Sequence, residues 1–488
     1  MIAVKPYVLV YDVGTSSIKA AVYGPEGEVL TKKSQFYAYD TPEESWAEID
    51  PQCWWSALVS VTGELGASGA AELHSVEAVA VTGQMHTAVL LDEHDEVIAP
   101  SILWFDRRAG AETRELQETF NVPPYVLNSS YTLPKLCWMA KHAPEVMRKV
   151  KTILWPKDYI RYLLTDKKAT DYTEGIGSAL IDWEAGTWIP QRIEACGLSM
   201  DVLPPLRSQE ETYPITAEAA NQLGLADRCK VLTGCGDIAA LLGGAPHKPG
   251  RLVYSLGSSS MYFTETDSDI REKDGLYTLS FGGHKLFGGV SSTTGAALNW
   301  AYEMLWGGES TIPFRDAVEK SLTARTAEDS VVFLPFLAGE RSPFWSDSMT
   351  GCFDGLKLHH DKRHLTKSIM EGVACSIRYI LDLMEGAQTP IDEIALSGGG
   401  AKTPGWPEII ASVTGKRVLV YAAEETVTAV LYALTASVLQ GRPFKEILHG
   451  LFREPTECLP DTHMVEIYDV LYARYRGLVS GKTEVMQN

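Results

Sequence analysis

Short hydrophobic runs alternate with amphipathic stretches along the whole chain. The hydrophobic runs have the length of strands and end in glycine or hydroxyl residues, as strands do where they enter a turn. The clearest of them are 7–12, 76–83, 230–234, 251–257, 330–336 and 393–399. Apolar residues at the three- and four-residue spacing of amphipathic helices occupy 51–65, 134–142, 366–384 and 407–414. This alternation predicts an α/β fold.

Two segments about half a chain apart repeat the order strand, hydroxyl-rich turn, strand. They are 11–23 and 254–263, and the second follows the Pro- and Gly-marked stretch 243–250. That stretch predicts a domain boundary, with one domain over residues 1–246 and another over 247–488. Chance recurrence of a common hairpin turn explains the repeat equally well. Two like domains would form a cleft, which favours a small-molecule site.

Length and charge narrow the function classes. A chain of 488 residues predicts two large domains, and 45% hydrophobic with 22% charged residues is typical of a globular protein. The net charge of −20 disfavours nucleic acid or a membrane surface as a partner. It still allows a local phosphate site built from backbone N–H groups. No stretch approaches the ~20 apolar residues that span a bilayer.

The eight cysteines are scattered and none forms a CxxC motif. Together with the absence of a signal-peptide pattern at the start, this predicts reduced thiols and a cytoplasmic protein. HExxH is also absent, and the pair His359–His360 alone is weak support for a metal site. We therefore expect any metal to arrive with a substrate.

The turn between the first two strand-like runs reads Asp-Val-Gly-Thr-Ser-Ser. Gly14 permits a tight turn, and the hydroxyls of Thr15 and Ser16 can donate to phosphate oxygens together with the turn N–H groups. Lys19 adds a positive charge. Asp12, at the strand end, could hold Mg²⁺ through water. An ordinary Asx-type hairpin turn remains the alternative.

A second turn, Gly-Cys-Gly-Asp-Ile-Ala at 234–239, satisfies the GxGxxG/A pattern of dinucleotide-binding proteins. Two observations disfavour that interpretation. Asp237 places a carboxylate where a pyrophosphate would bind, and residues 251–264 lack the acid expected at the ribose. A carboxylate at a helix N-terminus is favoured in its ionised form, which suits a general base. A plain helix cap is the alternative.

Three further segments follow or adjoin predicted strands. The glycines at 398–400 remove every Cβ from a turn, so an adenine or a ribose–phosphate could approach the backbone; a flexible loop is the alternative. Gln84, Met85 and His86 suit contact with a small molecule, although a lone histidine is more often structural. The cluster 104–108 fits an internal ion pair or a substrate contact. No Walker P-loop is present.

These motifs together resemble the FGGY family of carbohydrate kinases, from residue 7 to residue 441. Residues 130–142 resemble the family's first signature, and 351–356 continuing through 364–371 resemble its second. The Gly-Glu-Arg-Ser-Pro run at 339–343 resembles the motif that precedes the second signature. The resemblance implies an α/β fold of two actin/hexokinase-like (ribonuclease H-like) domains facing a central cleft. It also implies ATP-dependent phosphorylation of a sugar hydroxyl, with Mg²⁺.

Within the family, the runs 83–92, 102–106 and 156–165 are similar to the branch that phosphorylates D-xylulose to D-xylulose 5-phosphate. Gluconate, another ketose or a polyol are the alternative substrates that the resemblance leaves open. A regulator of the same superfamily that binds nucleotide without catalysis is an alternative of another class. The resemblance implies a small-molecule sugar partner and is compatible with a homodimer.

The resemblance also implies roles for single residues. Asp237 matches the general base and Asp12 the acid near Mg²⁺ and phosphate, with Asp237 as a second carboxylate for the metal. The implied sugar contacts are Gln84, Met85, His86, Trp104 and Asp237. The implied nucleotide contacts are Gly14, Thr15, Ser16, Ser17, Lys19, Gly257, Ser258, Ser259, Gly399, Gly400 and Ala401.

Two departures from the family pattern stand out. Ile238 replaces the asparagine that usually follows the catalytic aspartate, and its apolar side chain cannot supply the hydrogen bonds of an amide. We therefore expect a different hydroxyl pattern, or a less oxygenated carbon, at that point of the sugar. The segment 428–433 also lacks the glycine usual in that helix, and the added bulk could alter domain packing without removing ATP binding.

Overall fold

Strands and helices alternate along the chain in the computed structural model, which describes residues 7–182, 185–237, 243–281, 284–308, 312–421 and 426–487. The strands of the first half are β1 (Tyr7–Val13), β2 (Ser17–Tyr23), β3 (Val29–Phe36), β4 (Glu48–Ile49), β5 (Val76–Gly83), β6 (Val89–Leu91), β7 (Ser101–Ile102), β8 (Thr152–Leu154), β9 (Thr170–Asp171), β10 (Ile181–Asp182), β11 (Thr187–Trp188), β12 (Leu206–Arg207), β13 (Thr212–Pro214) and β14 (Lys230–Leu232). Those of the second half are β15 (Arg251–Leu256), β16 (Ser260–Glu265), β17 (Glu272–Lys273), β18 (Leu276–Phe281), β19 (His284–Ser291), β20 (Val332–Leu334), β21 (Cys352–Asp354), β22 (Glu393–Ser397), β23 (Arg417–Val420) and β24 (Thr456–Cys458).

The α-helices are α1 (Gln52–Ala67), α2 (Gly110–Phe120), α3 (Thr132–His142), α4 (Pro144–Met147), α5 (Pro156–Thr165), α6 (Tyr172–Ser178), α7 (Pro190–Glu194), α8 (Ala217–Leu223), α9 (Gly295–Trp306), α10 (Phe314–Leu322), α11 (Lys362–Gly386), α12 (Trp406–Thr414), α13 (Thr426–Gln440), α14 (Phe444–Leu451) and α15 (Thr462–Gln487). Each strand and helix predicted above lies on one of these elements, so the predicted α/β fold is confirmed. None of the helices in the described ranges is long and apolar enough to cross a membrane.

The first structural unit comprises Met1–Leu241 and Val427–Leu451. Its central sheet has the strand order β13-β14-β5-β1-β2-β3. β5 is parallel to both β1 and β14, so the carboxyl ends of these three strands lie at one edge of the sheet. The apolar residues of α1 at Trp54, Leu58, Val61 and Leu65 are all fully buried because this spacing puts them on one helix face.

The second unit comprises Leu242–Thr426 and Phe452–Asn488. Its central sheet has the order β17-β18-β19-β16-β15-β22-β23-β24. Helix α11 contributes a continuous buried face to the core, and it begins at a capping box in which Asp361 and His364 bond each other's backbone. Helix α12 lies between Gly405 and Gly415, both in the left-handed conformation that terminates helices.

The two sheets repeat one topology. In each, a hairpin (β1-β2, β15-β16) is extended by an antiparallel strand on one side (β3, β19) and by two parallel strands on the other (β5 and β14, β22 and β23). The last parallel strand pairs with an antiparallel one, β13 or β24. The repeat seen in the sequence is therefore structural, and chance recurrence of a turn does not explain it.

The division into units is not a single cut in the chain, because helices α13 and α14 belong to the first unit. In that unit Tyr432 of α13 stacks on Tyr23 of β2 with ring centroids 4.8 Å apart, and the Tyr23 hydroxyl lies 2.7 Å from the Thr428 hydroxyl. The large residues of 428–433 thus pack within the first unit. The boundary between residues 246 and 247 stays a prediction.

Candidate active site

The turn after β1 is closed by its own backbone and held by side chains from two other segments. Gly14 N donates to Ser17 O at 3.0 Å. Gln84 Nε2 donates to Gly14 O at 3.3 Å, and Trp104 Nε1 donates to the Thr15 hydroxyl at 3.1 Å. The structure thus brings Gln84 and Trp104 to Gly14 and Thr15, from which they are distant in sequence.

Charged and hydroxyl side chains flank this turn. Asp12 and Lys19 are cross-strand partners on the hairpin, so their side chains leave the same face of the sheet. Ser16 and Lys19 are exposed, whereas Asp12 and Ser17 are partly buried. Carboxylate, ammonium and hydroxyl groups are therefore concentrated at one end of the β1-β2 hairpin.

His86 is held on three sides just beyond the end of β5. Its Nδ1 donates to Gly177 O at 2.5 Å, since a carbonyl only accepts. In the neutral form of the ring, Nε2 is then the acceptor atom. The ring stacks on Tyr131 at 4.9 Å between centroids. The Thr132 hydroxyl donates to His86 O at 2.9 Å. The orientation of the imidazole is thus fixed by backbone and aromatic contacts.

Met85 is buried against the loop that leads to Asp237. A Cβ at Gly236 would lie 2.6 Å from Met85 Sδ, and one at Gly177 would lie 2.7 Å from Met85 Cε. Both contacts are closer than real Cβ atoms show, so a larger residue at either position would force the end of the Met85 side chain to move. Met85, His86 and the loop before Asp237 consequently form one packed group.

The loop before Asp237 is clamped by hydrogen bonds on both sides. The Thr82 hydroxyl donates to Cys235 O at 2.8 Å, and Gly236 N donates to the Thr173 hydroxyl at 2.9 Å. Asp237 itself is partly exposed. The next residue, Ile238, which carries the predicted difference in sugar recognition, lies outside the described residues.

A buried charge network supports this clamp. Lys157 Nζ lies 2.8 Å from an Asp171 carboxylate oxygen and 2.6 Å from one of Asp158. The second Asp171 oxygen accepts from the Thr173 hydroxyl at 2.5 Å. Burial alone would lower the pKa of Lys157, but the two aspartates raise it above its ordinary value, so Lys157 is positively charged. A chain of contacts thus runs from Lys157 through Asp171 and Thr173 to the residue before Asp237.

Glu174 lies on the same helix as Thr173 and is fully buried. Neither of its carboxyl oxygens has a hydrogen-bond partner among the described residues. Burial raises its pKa well above the ordinary range, and the negative charges of Asp158, Asp171 and Asp237 act in the same direction. The positive charge of Lys157 opposes this shift, so the neutral form of Glu174 is favoured only relative to an exposed glutamate.

The cluster 104–108 is divided between two roles. Arg108 forms an ion pair with Asp106 at 2.8 Å and another with Glu48 at 2.5 Å, and its guanidinium lies 3.8 Å from the centre of the Trp46 ring. These contacts are the internal ion pair that the sequence left open as an alternative. Trp104 instead touches Thr15 of the first turn.

In the second unit, the turn after β15 is also closed by a backbone bond from its glycine, one residue shorter than in the first turn. Gly257 N donates to Ser259 O at 3.1 Å. The N-terminus of α9 lies on this turn: Thr294 N donates to Ser258 O at 2.9 Å, and Gly295 N donates to Gly257 O at 2.9 Å. The predicted phosphate-loop residues of this unit are thus tied to a helix N-terminus, whose first N–H groups donate to carbonyls of the turn.

The glycine loop at 398–401 lies beside that turn. A Cβ at Gly398 would lie 2.7 Å from Leu256 O, and one at Gly400 would lie 2.4 Å from Leu256 Cγ. At Gly399, by contrast, a Cβ would meet no atom within 4 Å. Ala401 is buried in the core. The open face of this loop is therefore at Gly399.

Glu340 is a buried carboxylate next to β19 in the second unit. One of its oxygens accepts from Ser292 N at 2.6 Å and from Arg341 N at 2.8 Å. Its other oxygen has no hydrogen-bond partner in the described part of the chain. Burial raises the pKa of Glu340 to about 7, against the effect of those two backbone donors.

Five of these residues were absent from the sequence prediction as site residues: Thr82, Lys157, Asp171, Thr173 and Glu174. Asp171 could have been found, because an aspartate two residues before a threonine at a helix start is a typical N-cap, and its side chain accepts from Thr173 N.

Groups of three or more His, Cys, Asp or Glu that could hold a metal ion are absent from the described ranges.

Comparisons with known proteins agree with this architecture. The family model for the N-terminal domain of the FGGY family of carbohydrate kinases matches residues 7–243, and the model for the C-terminal domain matches 252–437. A xylulose kinase of Escherichia coli is 29% identical over 96% of this chain and 97% of its own. One of Lactococcus lactis is 30% identical over 86% of this chain and 85% of its own.

Two further matches bear on the substrate and the fold. A gluconokinase of Bacillus subtilis is 25% identical over 86% of this chain and 85% of its own. Among solved structures, a xylulose kinase of Rhodospirillum rubrum has a TM-score of 0.83 at 26% identity, covering 99% of this chain and all of its own. The chain thus shares its fold over nearly its whole length with sugar kinases.

Proposed function

Because the chain belongs to the FGGY family of carbohydrate kinases, we propose that it transfers the terminal phosphoryl group of ATP to a hydroxyl of D-xylulose, giving D-xylulose 5-phosphate. The xylulose kinases that match over most of the chain support this substrate. The gluconokinase match supports gluconate as the second candidate, ahead of another ketose or a polyol.

The observation that carries the proposal is the clamped loop before Asp237. Its backbone is held by Thr82 and Thr173, and Met85 packs against Gly236 with His86 beside it. In this assignment the Asp237 carboxylate accepts the proton from the attacking sugar hydroxyl as the bond to phosphorus forms. Gln84, Met85, His86 and Trp104 contact the sugar, and Nε2 of His86 accepts a hydrogen bond from a sugar hydroxyl.

The two closed turns are assigned to the phosphates of ATP. In the first unit Thr15, Ser16 and Ser17 offer hydroxyl donors around the turn that Gly14 closes, with Lys19 nearby. In the second unit Ser258 and Ser259 offer hydroxyl donors on the turn that Gly257 closes. Gly399 and Gly400, with Ala401 behind them, form the loop assigned to the adenosine. Charge stabilisation by such groups is the main demand of phosphoryl transfer.

Mg²⁺ is the metal that this set of groups fits. Asp12 lies at a strand end among hydroxyl groups, and Mg²⁺ takes one or two carboxylates while keeping water and phosphate oxygens as its other ligands. Asp12 would hold it through water, with Asp237 as the second carboxylate. When bound, the ion neutralises negative charge on the phosphates.

The roles divide between the predicted domains. We assign the sugar contacts, the first phosphate turn and Asp237 to the domain 1–246, and the second phosphate turn with the adenosine loop to the domain 247–488. All eight cysteines are free thiols, which supports a cytoplasmic location. A homodimer remains part of the proposal, without nucleic acid or membrane as a partner.

A panel of ketoses, aldonates and polyols, screened by ADP production, tests the proposal. We expect the highest kcat/KM with D-xylulose and no ADP release without a sugar. Strong activity on gluconate with none on xylulose would replace the substrate. If the protein binds ATP but no compound in the panel stimulates the formation of ADP, the result would instead favour the non-catalytic regulator.

A further inference from the structure

Two cysteines distant in sequence meet in the first unit. The Sγ atoms of Cys137, on α3, and Cys196, two residues after α7, lie 3.1 Å apart. Both side chains are buried, at 6% and 2% exposure, and both are free thiols. A disulfide has an S–S distance of about 2.05 Å, so an approach of about 1 Å would be enough to join them.

A cavity of about 440 Å³ gives access to this pair. Both cysteines line it, together with Glu112, Lys141 and Arg148. Lys141 forms ion pairs with Glu112 at 3.3 Å and with Glu115 at 2.6 Å. The cavity is far larger than the ~10–15 Å³ that one water molecule needs. A solute the size of hydrogen peroxide can therefore come next to the two cysteines, although little of either residue is exposed.

The hydrogen bond to Cys137 raises the pKa of the Cys196 thiol well above its ordinary value, and burial raises it further. Because the thiolate is the nucleophilic form of cysteine, we expect Cys196 to react slowly with oxidants. The short distance between the two Sγ atoms, and not a lowered pKa, is therefore what favours a bridge at this site.

We propose that Cys137 and Cys196 form a redox modification site at which hydrogen peroxide produces an intramolecular disulfide. One sulfur attacks a peroxide oxygen, the O–O bond breaks, and a sulfenic acid and one water form. The second sulfur then attacks the sulfenic sulfur, the S–O bond breaks, and a second water leaves as the S–S bond forms. Two thiols lose two electrons in total, and one peroxide is reduced to two waters.

The bridge would join two segments that surround the predicted sugar contact His86. Helix α3 carries Thr132, whose hydroxyl donates to His86 O. The helix before Cys196 carries Arg192, which donates to Ala179 O at 2.7 Å, two residues after the carbonyl that holds the His86 ring. The required approach of the sulfurs shifts these segments. We therefore expect a higher KM for the sugar after oxidation, an effect that rests on the proposed function.

The test treats the native full-length protein with hydrogen peroxide and then counts thiols after unfolding. We expect the eight thiols of the untreated protein to fall by two and to return on reduction with dithiothreitol. Peptide mapping should recover a linked pair containing Cys137 and Cys196. The variants C137S and C196S should each lose no thiols, whereas C53S, which alters a half-buried cysteine elsewhere, should still lose two.

The result in the wild-type protein does not depend on any variant folding. An unchanged thiol count, conversion of either cysteine to a sulfinic acid, or a bridge between other cysteines would overturn the modification site. A disulfide at this position with an unchanged sugar KM would leave the site in place and overturn its link to His86. Absence of kinase activity before oxidation would count against the proposed function alone.

Discussion

The two units place different chemistry on the same sheet positions. Asp12 of the first unit and Ser255 of the second both lie two residues before the turn glycine of their hairpins, Gly14 and Gly257. Asp12 pairs with Thr82 on the neighbouring parallel strand, and Ser255 pairs with Ser397. A partly exposed carboxylate in one unit thus corresponds to a buried hydroxyl in the other.

The correspondence continues past the ends of the parallel strands. A Cβ at Gly83 would lie 2.7 Å from Val13 O, and a Cβ at Gly398 would lie 2.7 Å from Leu256 O. After this shared glycine, the first unit continues Gln-Met-His and the second continues Gly-Gly-Ala. One topology therefore presents polar side chains at the proposed sugar site and bare backbone at the proposed nucleotide site. The fold supplies the positions, and the residues at the strand ends decide the chemistry.

The largest effect should come from the carboxylate at the clamped loop. Asp237→Asn removes the proton acceptor, so kcat should fall by about 10²–10⁴-fold, the range for general acid–base catalysis, with the KM for ATP unchanged. Steady-state ADP release with the best sugar measures it. Asp201→Asn, a change at an exposed aspartate, is the control and should keep full activity. Undiminished kcat in D237N would contradict the assignment.

Converting the first turn towards the second tests the comparison directly. Asp12→Ser introduces the residue type that the second unit has at the matching position, Ser255. Loss of the Asp12 charge near the phosphates should lower kcat by about 10²–10³-fold, as for other electrostatic stabilisers. The matched change Ser255→Ala should leave kcat within a few-fold. Equal effects of the two changes, measured by initial rates at saturating ATP, would show that the units do not differ as argued.

Much of this arrangement was predictable from sequence because it depends on local patterns. Period-two and period-3.6 hydrophobicity identified the main strands and helices, and the Gly-hydroxyl turns identified both hairpins. The ends of the strands were predicted less accurately. The run 330–336 forms a strand only at Val332–Leu334. The pattern could not show how far backbone pairing extends, because that depends on the partner strand, here β21.

The supporting residues of the site were not predictable in the same way. The bond from Gly236 N to Thr173 spans 63 residues, and no periodicity links those positions. Lys157 lies at the start of α5, a helix that the sequence analysis did not predict, and only the fold brings Asp171 to it. The proposed ligand contacts sit at strand ends and leave a signal in the sequence, whereas the residues that support them depend on tertiary contacts.

Glu340 tests whether a buried carboxyl group of the second unit changes its protonation near neutral pH. Its pKa in the folded protein, about 7, exceeds the ordinary 4.5, so the folded state holds the proton more tightly than the unfolded chain. The contribution of Glu340 to the free energy of unfolding should therefore be greatest below pH 4.5. It should decline as the pH rises through 7. The difference between the two pKa values corresponds to ~3 kcal/mol.

Glu340→Gln should remove that decline, since glutamine stays neutral and its oxygen can still accept from Ser292 and Arg341. Urea unfolding of both proteins on either side of this pH range measures the change. Glu328→Gln, at an exposed glutamate, should follow the wild type. Parallel pH dependences in the wild type and E340Q would contradict the raised pKa.

Glycine substitutions separate shared packing from the proposed ligand contact. Gly398→Ala and Gly83→Ala each place a Cβ against a carbonyl, and Gly398 also has φ +87°, so strain of about 1–3 kcal/mol is expected at Gly398. Gly399→Ala meets no atom and should leave the free energy of unfolding unchanged while raising the KM for ATP. Unfolding curves and ATP titrations distinguish these outcomes. A destabilised G399A would contradict the open face.

The smallest effect should come from the clamp itself. Thr173→Val keeps the shape of the side chain but leaves Gly236 N without its acceptor. If the lost hydrogen bond, worth about 1 kcal/mol, positions Asp237 for the reaction, kcat should fall by roughly 5–10-fold. The KM for ATP should not change. Thr173→Ser retains the hydroxyl and should restore kcat, which a purely structural role of the methyl group would not predict. Thr187→Val, at an exposed threonine, is the control. A Thr173→Ser variant as impaired as Thr173→Val would mean that the hydroxyl does not position Asp237.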